Sequence, residues 1–126
     1  MDDQIDTIYD RYGKPVLRLL NNGRFVTFGG ESVGFLENAN AYNYEGKHVG
    51  WYENGILRDH YGRCAGFGEN PIAIVKPFLP FKQFKPFAGF VQFEPFRPFR
   101  QFTPFRPIDS YGWSQYETIQ LFFLSH

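Results

Sequence analysis

The most reactive side chains in this sequence are His48, His60 and Cys64, the last being the chain's one cysteine. Imidazole and thiolate together suit zinc or another transition metal, and a Cys–His pair suits nucleophilic catalysis. Both ideas fall short. Structural zinc takes four ligands, and a nucleophilic pair needs a third group to orient its base and donors for the oxyanion. No phosphate-binding glycine loop, nucleophile elbow or paired-histidine motif occurs. The expectation is no catalytic residue, no cofactor and no resident metal, with His48, His60 and Cys64 as residual metal candidates. A second possibility is a carbohydrate- or small-ligand-binding module using exposed aromatics, with Trp51 and Tyr52 as candidates beside turn Asn or Asp side chains.

The elements that carry these residues repeat. Aligned on Gly13, Gly30, Gly46 and Gly62, the chain gives Val16, Val33, Val49 and Ala65 three residues later. Arg18, Phe35, Trp51 and Phe67 follow five residues after the glycine, and Asn21, Asn38, Asn54 and Asn70 eight after it. Three residues upstream stand Asp10, Thr27, Asn43 and Asp59, so each unit opens a turn with a side-chain acceptor and closes it with glycine. Short apolar runs of strand length flank the turns. Asp10 and Asp59 are therefore expected to cap turns rather than act as acid and base. Period-two alternation puts the Val/Ala and Phe/Trp positions on one face, taken as core, with the glycine between them on the other. His48 and Cys64 occupy one repeat position, next to the Val/Ala position and thus expected on the opposite face.

From Ile72 to Ile108 every third residue is apolar, and ten of the sixteen phenylalanines lie in that stripe. Three-residue periodicity with Pro before most stripe positions predicts polyproline II. Ten phenyl groups at roughly 150–250 Å² each need a cover. The rest of the chain is the expected cover, ahead of a second copy or an unidentified protein. Substituting Phe90→Asp or Phe93→Asp is then expected to unfold the protein. The tract is long enough to belt the body once, or to fold back at Gly89 as two arms, and Gln83, Gln92 and Gln101 are expected to supply the backbone donors that Pro lacks. P-x-x-P-x-basic segments occur, but a three-residue repeat generates that spacing trivially.

At 126 residues the chain is expected to form one domain: four hairpins over 7–70, the triplet tract over 71–107 and a closing, strand-like segment over 108–126. Net charge is zero, which argues against nucleic acid and a membrane surface as partners. The distribution is uneven, with seven basic and ten acidic residues in 1–70 but six and one in 71–107. A single cysteine, no apolar run at the start and no apolar run of membrane-spanning length point to the cytoplasm.

Tyr9 to Val16, Glu45 to Trp51 and Leu57 to Cys64, with the triplet tract, Gly112-Trp113-Ser114 and Leu121-Phe122-Phe123, resemble the four-fold β-flower family, small bacterial proteins of unknown function. The resemblance implies an all-β fold with a four-fold hairpin repeat and carries over no catalytic residue. The expected fold is thus an all-β, pseudo-four-fold array of hairpins with an extended polyproline II-like tract. The expected function is that of a non-enzymatic structural or protein-interaction module.

Overall fold

A computed structural model describes residues 4–124. Eight antiparallel strands follow one another around a closed barrel: β1 (Gln4–Tyr9), β2 (Pro15–Leu20), β3 (Arg24–Thr27), β4 (Ser32–Glu37), β5 (Asn40–Asn43), β6 (His48–Glu53), β7 (Ile56–Arg58) and β8 (Cys64–Phe67). Pairing of Tyr9 with Phe67 closes the ring. Closure leaves no sheet edge open to other chains.

The turns form for local reasons. Asp10 Oδ1 accepts from the amides of Tyr12 and Lys14, Asn43 Oδ1 from Glu45 and Lys47, and Asp59 Oδ1 from Tyr61 and Arg63. Thr27 Oγ1 does the same for Glu31. Gly13, Gly30, Gly46 and Gly62 end these turns at φ of 82°, 101°, 81° and 79°, a region that side chains with a Cβ rarely enter.

Each hairpin carries a bulge at one repeat position. Pairing steps from Ile8↔Leu17 to Tyr9↔Pro15, from Phe25↔Gly34 to Val26↔Ser32, from Ala41↔Gly50 to Tyr42↔His48 and from Leu57↔Gly66 to Arg58↔Cys64. The skipped residues are Val16, Val33, Val49 and Ala65. A bulge re-aims the side chains around it, and this corrects the simple alternation. Val33, Val49 and Ala65 join Ile8, Leu17, Leu19, Phe25, Ala41, Tyr52 and Leu57 in the inner core. Phe67 lies instead in an outer cluster with Tyr9, Ile56 and Cys64. Gly34 and Gly66, expected to face away from the core, sit beside the segment that plugs it. A Cβ on Gly34 would strike the Phe122 ring, and one on Gly66 would crowd Ile8 and Thr118.

That plug is a correction to the strand-like closure expected at the C-terminus. Beyond one isolated bridge between Cys64 and Trp113, the segment ends in a short 3₁₀ turn, Gln120–Phe123, whose Leu121 and Phe122 are buried in the inner core. Thr118 Oγ1 donates to the Ala65 carbonyl at 2.5 Å and Ser114 Oγ to Asp59 Oδ2 at 2.5 Å, guiding the segment in.

Residues 76–110 contain no helix, strand or turn. They pass around the outside of the barrel, from the β6–β7 turn, where the amides of Ile72 and Ala73 donate to the Asn54 carbonyl, to the β7–β8 turn, where Ser110 donates to Gly62. On the way the tract meets the other three glycine turns in order. The amides of Gln83, Gln92 and Gln101 donate to the carbonyls of Gly13, Gly30 and Gly46 at 2.8, 2.9 and 2.7 Å. Nine residues of tract therefore serve each quarter of the barrel. The four glycines are needed twice over, because a Cβ on any of them would run into the carbonyl oxygen of Phe81, Phe90, Phe99 or Ile108.

Arg58 joins the two ends of this belt. Its buried guanidinium donates to the carbonyls of Gly62 (2.8 Å), Ser110 (3.0 Å) and Val75, and pairs with Asp109 at 3.2 Å. Val75 stands near the start of the tract and Ser110 at its finish, so one side chain of β7 clasps the loop shut.

Candidate functional site

The belt is held from beneath and bare on top. All ten stripe phenylalanines, Phe78 to Phe105, are 88–101% exposed. This overturns the expectation that the rest of the chain covers them. The physical reason is the backbone: the tract gives its few amides to the carbonyls of the turn glycines and packs its own carbonyls against those glycines, which turns the stripe of side chains outward.

Charge on the tract is directed inward. Lys82 and Lys85 reach Glu69 at 3.4 and 2.6 Å, Arg97 and Arg100 reach Glu37 at 3.6 and 2.5 Å, and Arg106 reaches Glu53 at 2.8 Å. Glu37, Glu53 and Glu69 occupy one repeat position, seven residues after the turn glycine. The same cations lie over outward-facing rings of the barrel: Arg97 and Arg100 over Phe35 at 4.8 and 5.0 Å, Arg106 over Trp51 at 5.6 Å, and Lys82 over Tyr9 at 5.6 Å. Stacked guanidinium and ammonium groups are attracted by the ring quadrupole, so Lys82, Arg97, Arg100 and Arg106 each have a carboxylate and a ring as partners. In the remaining quarter the polarity is reversed. Residues 86–96 hold no cation, and the barrel supplies two: Arg18 donates to the Gly89 carbonyl at 3.1 Å and Arg24 to that of Gln92 at 2.7 Å.

Carboxylates within this seam are shifted. Burial pushes Glu69 up, but hydrogen bonds from Lys85 and Tyr9 and the charges of Lys85 and Lys82 outweigh it and hold the carboxyl below its ordinary 4.5. Glu94 is lowered likewise, burial being overcome by Arg97 and Tyr44. Their phenol partners move the other way, with Tyr9 pushed up to about 12 by burial and by Glu69.

Of the residual metal candidates, the structure brings together two. His48 is buried, with its Nδ1 3.0 Å from His60 Nε2 and its Nε2 2.9 Å from Asn40 Oδ1, and the two imidazoles stack 5.2 Å apart. Asn40 Oδ1 only accepts, so Nε2 of His48 carries a proton. Gln101 Oε1 accepts from the His48 amide at 2.9 Å, so this cluster also ties the tract to the barrel. Cys64 bonds elsewhere, its sulfur donating to the Gly66 carbonyl at 3.3 Å, and burial pushes its thiol up to about 12. Among the described residues no three His, Cys, Asp or Glu side chains converge on a point that could hold a metal.

Trp51 and Tyr52, expected as exposed ligand-binding aromatics, are only 4% and 8% exposed, which corrects that assignment. Trp51 lies under Arg106, and the Tyr52 hydroxyl donates to Asp6 while its ring meets Phe25 edge-on inside the core. Sequence reasoning missed the buried Arg18, Arg24 and Arg58. The signal available was that these cations fall inside or at the ends of strands, where a charge needs a partner.

A family model described as 4-fold beta flower protein matches residues 6–123. No curated protein and no solved structure matches the chain.

Proposed function

The chain belongs to the 4-fold beta flower family, and on that premise we propose that it is a non-enzymatic structural or protein-interaction module whose working surface is the phenylalanine ring. One observation carries the reading: ten large apolar side chains are bare while the backbone beneath them is bonded at every quarter of the barrel. A solvent-facing apolar patch on a soluble monomer is usually some 300–600 Å², and larger ones mark interaction sites. The reactive groups have structural employment, Cys64 in the outer cluster and the two histidines beneath Gln101.

The test is a variant with Phe84, Phe87, Phe93, Phe96, Phe102 and Phe105 all changed to Ser. Because these side chains touch little of their own chain, it should keep the circular dichroism spectrum and melting temperature that the wild type shows in dilute, monomeric solution. It should also lose the wild type's binding in three assays: self-association, capture of proteins from the native cell, and flotation with lipid vesicles. Equal behaviour of the two proteins in all three assays would remove the reading.

A further inference from the structure

We propose that the occupant of the ring is further copies of the same chain, whose phenylalanine stripes interdigitate, each copy engaging neighbours through more than one quarter of its circumference. The proposal rests on the ring being the working surface.

Area comes first. Ten phenyl side chains present roughly 1,500–2,500 Å², whereas one partner in an interface of standard size contributes about 800 Å². The ring thus holds two to three such surfaces. It is also spread around the whole barrel, because the tract meets the turns at Gly13, Gly30, Gly46 and Gly62 in succession. A single second copy approaches from one side and leaves the other quarters bare. Contacts that repeat around a ring without closing on themselves build open arrays rather than dimers.

Spacing identifies the partner. At the polyproline II rise expected for this tract, three residues span about 9.3 Å of backbone, which sets the interval between successive phenylalanines. A ring from a second stripe seated in each gap would place neighbouring centroids about 4.7 Å apart, within the 4.5–7 Å range of aromatic pairs. The stripe is complementary to itself. A different protein would need the same interval to fill the same gaps.

Charge removes the obvious competitors. From Lys82 to Arg106 every tract cation meets a carboxylate of its own chain, and the net charge is zero. Two copies therefore approach without strong repulsion, while polyanions and anionic lipid find no row of unpaired cations. The stripe is also one side chain high, where a bilayer-spanning surface needs an apolar band of about 25 Å.

The experiment is sedimentation velocity on the full chain from low micromolar to sub-millimolar concentration. Wild type should show a mass that climbs with concentration beyond twice that of the monomer, little changed by sodium chloride and increased by sulfate. Changing only Phe84 and Phe87 to Ser should weaken association at least tenfold without abolishing it, and the six-serine variant should stay monomeric and melt as the dilute wild type does. A wild type that is monomeric throughout overturns the proposal, as does a wild type that stops at a dimer or a six-serine variant that assembles equally well. Monomeric wild type that floats with phosphatidylcholine vesicles assigns the ring to a bilayer instead, and the interaction-module reading survives. Monomeric wild type that neither floats nor differs from the six-serine variant in capture of cell proteins removes both.

Discussion

Arg58 ties the two ends of the tract to the barrel. At 2% exposure it gives its hydrogen-bonding capacity to three carbonyls and one carboxylate, of which Gly62 lies in the β7–β8 turn, Val75 near the start of the tract, and Ser110 and Asp109 at its finish. Arg58→Ala would strand those acceptors, and buried groups left unpaired cost about 1–3 kcal/mol each. Urea titration should record a loss of about 3 kcal/mol or more, with amide exchange accelerating first in the tract. Cys64 offers a quieter check. With its thiol pushed up to about 12 by burial, it should resist thiol reagents at pH 8 in the native protein and react fully once unfolded. The seam carboxylates set an acid limit. Glu69 and Glu94 have folded pKa values below 4.5, so their contribution is fully present above that pH and is lost as pH falls through the lowered folded values. Amide protection at Gln83 and Gln92 should therefore disappear on acidification before protection in the strands does; simultaneous loss would contradict this. At this scale the sequence was legible where chemistry is local. Asp10 and Asp59 cap turns as their spacing from glycine implies. The burial of Trp51 and Tyr52 was not legible, because it depends on Arg106 and Asp6, distant along the chain.

Among the elements, the bulged hairpin and the glycine turn decide the geometry. The four-fold spacing of glycine, Val/Ala and Asn could be read directly, since turn chemistry repeats in the residue types themselves. The bulge could not, because an unpaired residue is defined by its partner strand, and one extra residue exchanges the inner and outer faces for every position after it. That is why Val33 and Gly34 both serve the interior while Phe35 lies outside under Arg97 and Arg100. Gly30→Ala would impose a side chain at φ 101° and drive it into the Phe90 carbonyl. A strain cost of about 1–3 kcal/mol is expected, and exchange at Gln92 should rise while Gln83 and Gln101 stay protected. Phe122→Ala would empty the centre of the barrel, at about 3–5 kcal/mol by thermal or urea unfolding. The plug itself was hidden in the sequence, since Trp113, Tyr116, Ile119 and Phe123 suit a strand and a helix about equally.

For the molecule as a whole, the stripe reverses the usual relation between hydrophobicity and burial. Phe90 and Phe93 are 99% and 101% exposed, so Phe90→Asp and Phe93→Asp, expected from the size of the stripe to unfold or precipitate the chain, should leave the melting temperature within a degree or two in solutions dilute enough to be monomeric, and raise solubility. A large fall under those dilute conditions would mean that the stripe is buried within its own molecule after all. The clasp has a mechanical corollary. Pulled by its C-terminus, the chain would first surrender the Leu121–Phe122 plug, then the Arg58 buckle. It would then yield like thread from a spool, as the bonds at Gly62, Gly46, Gly30 and Gly13 let go in turn. Successive releases free nine residues, so an extension trace should climb in even steps of about 30 Å while the barrel inside still stands.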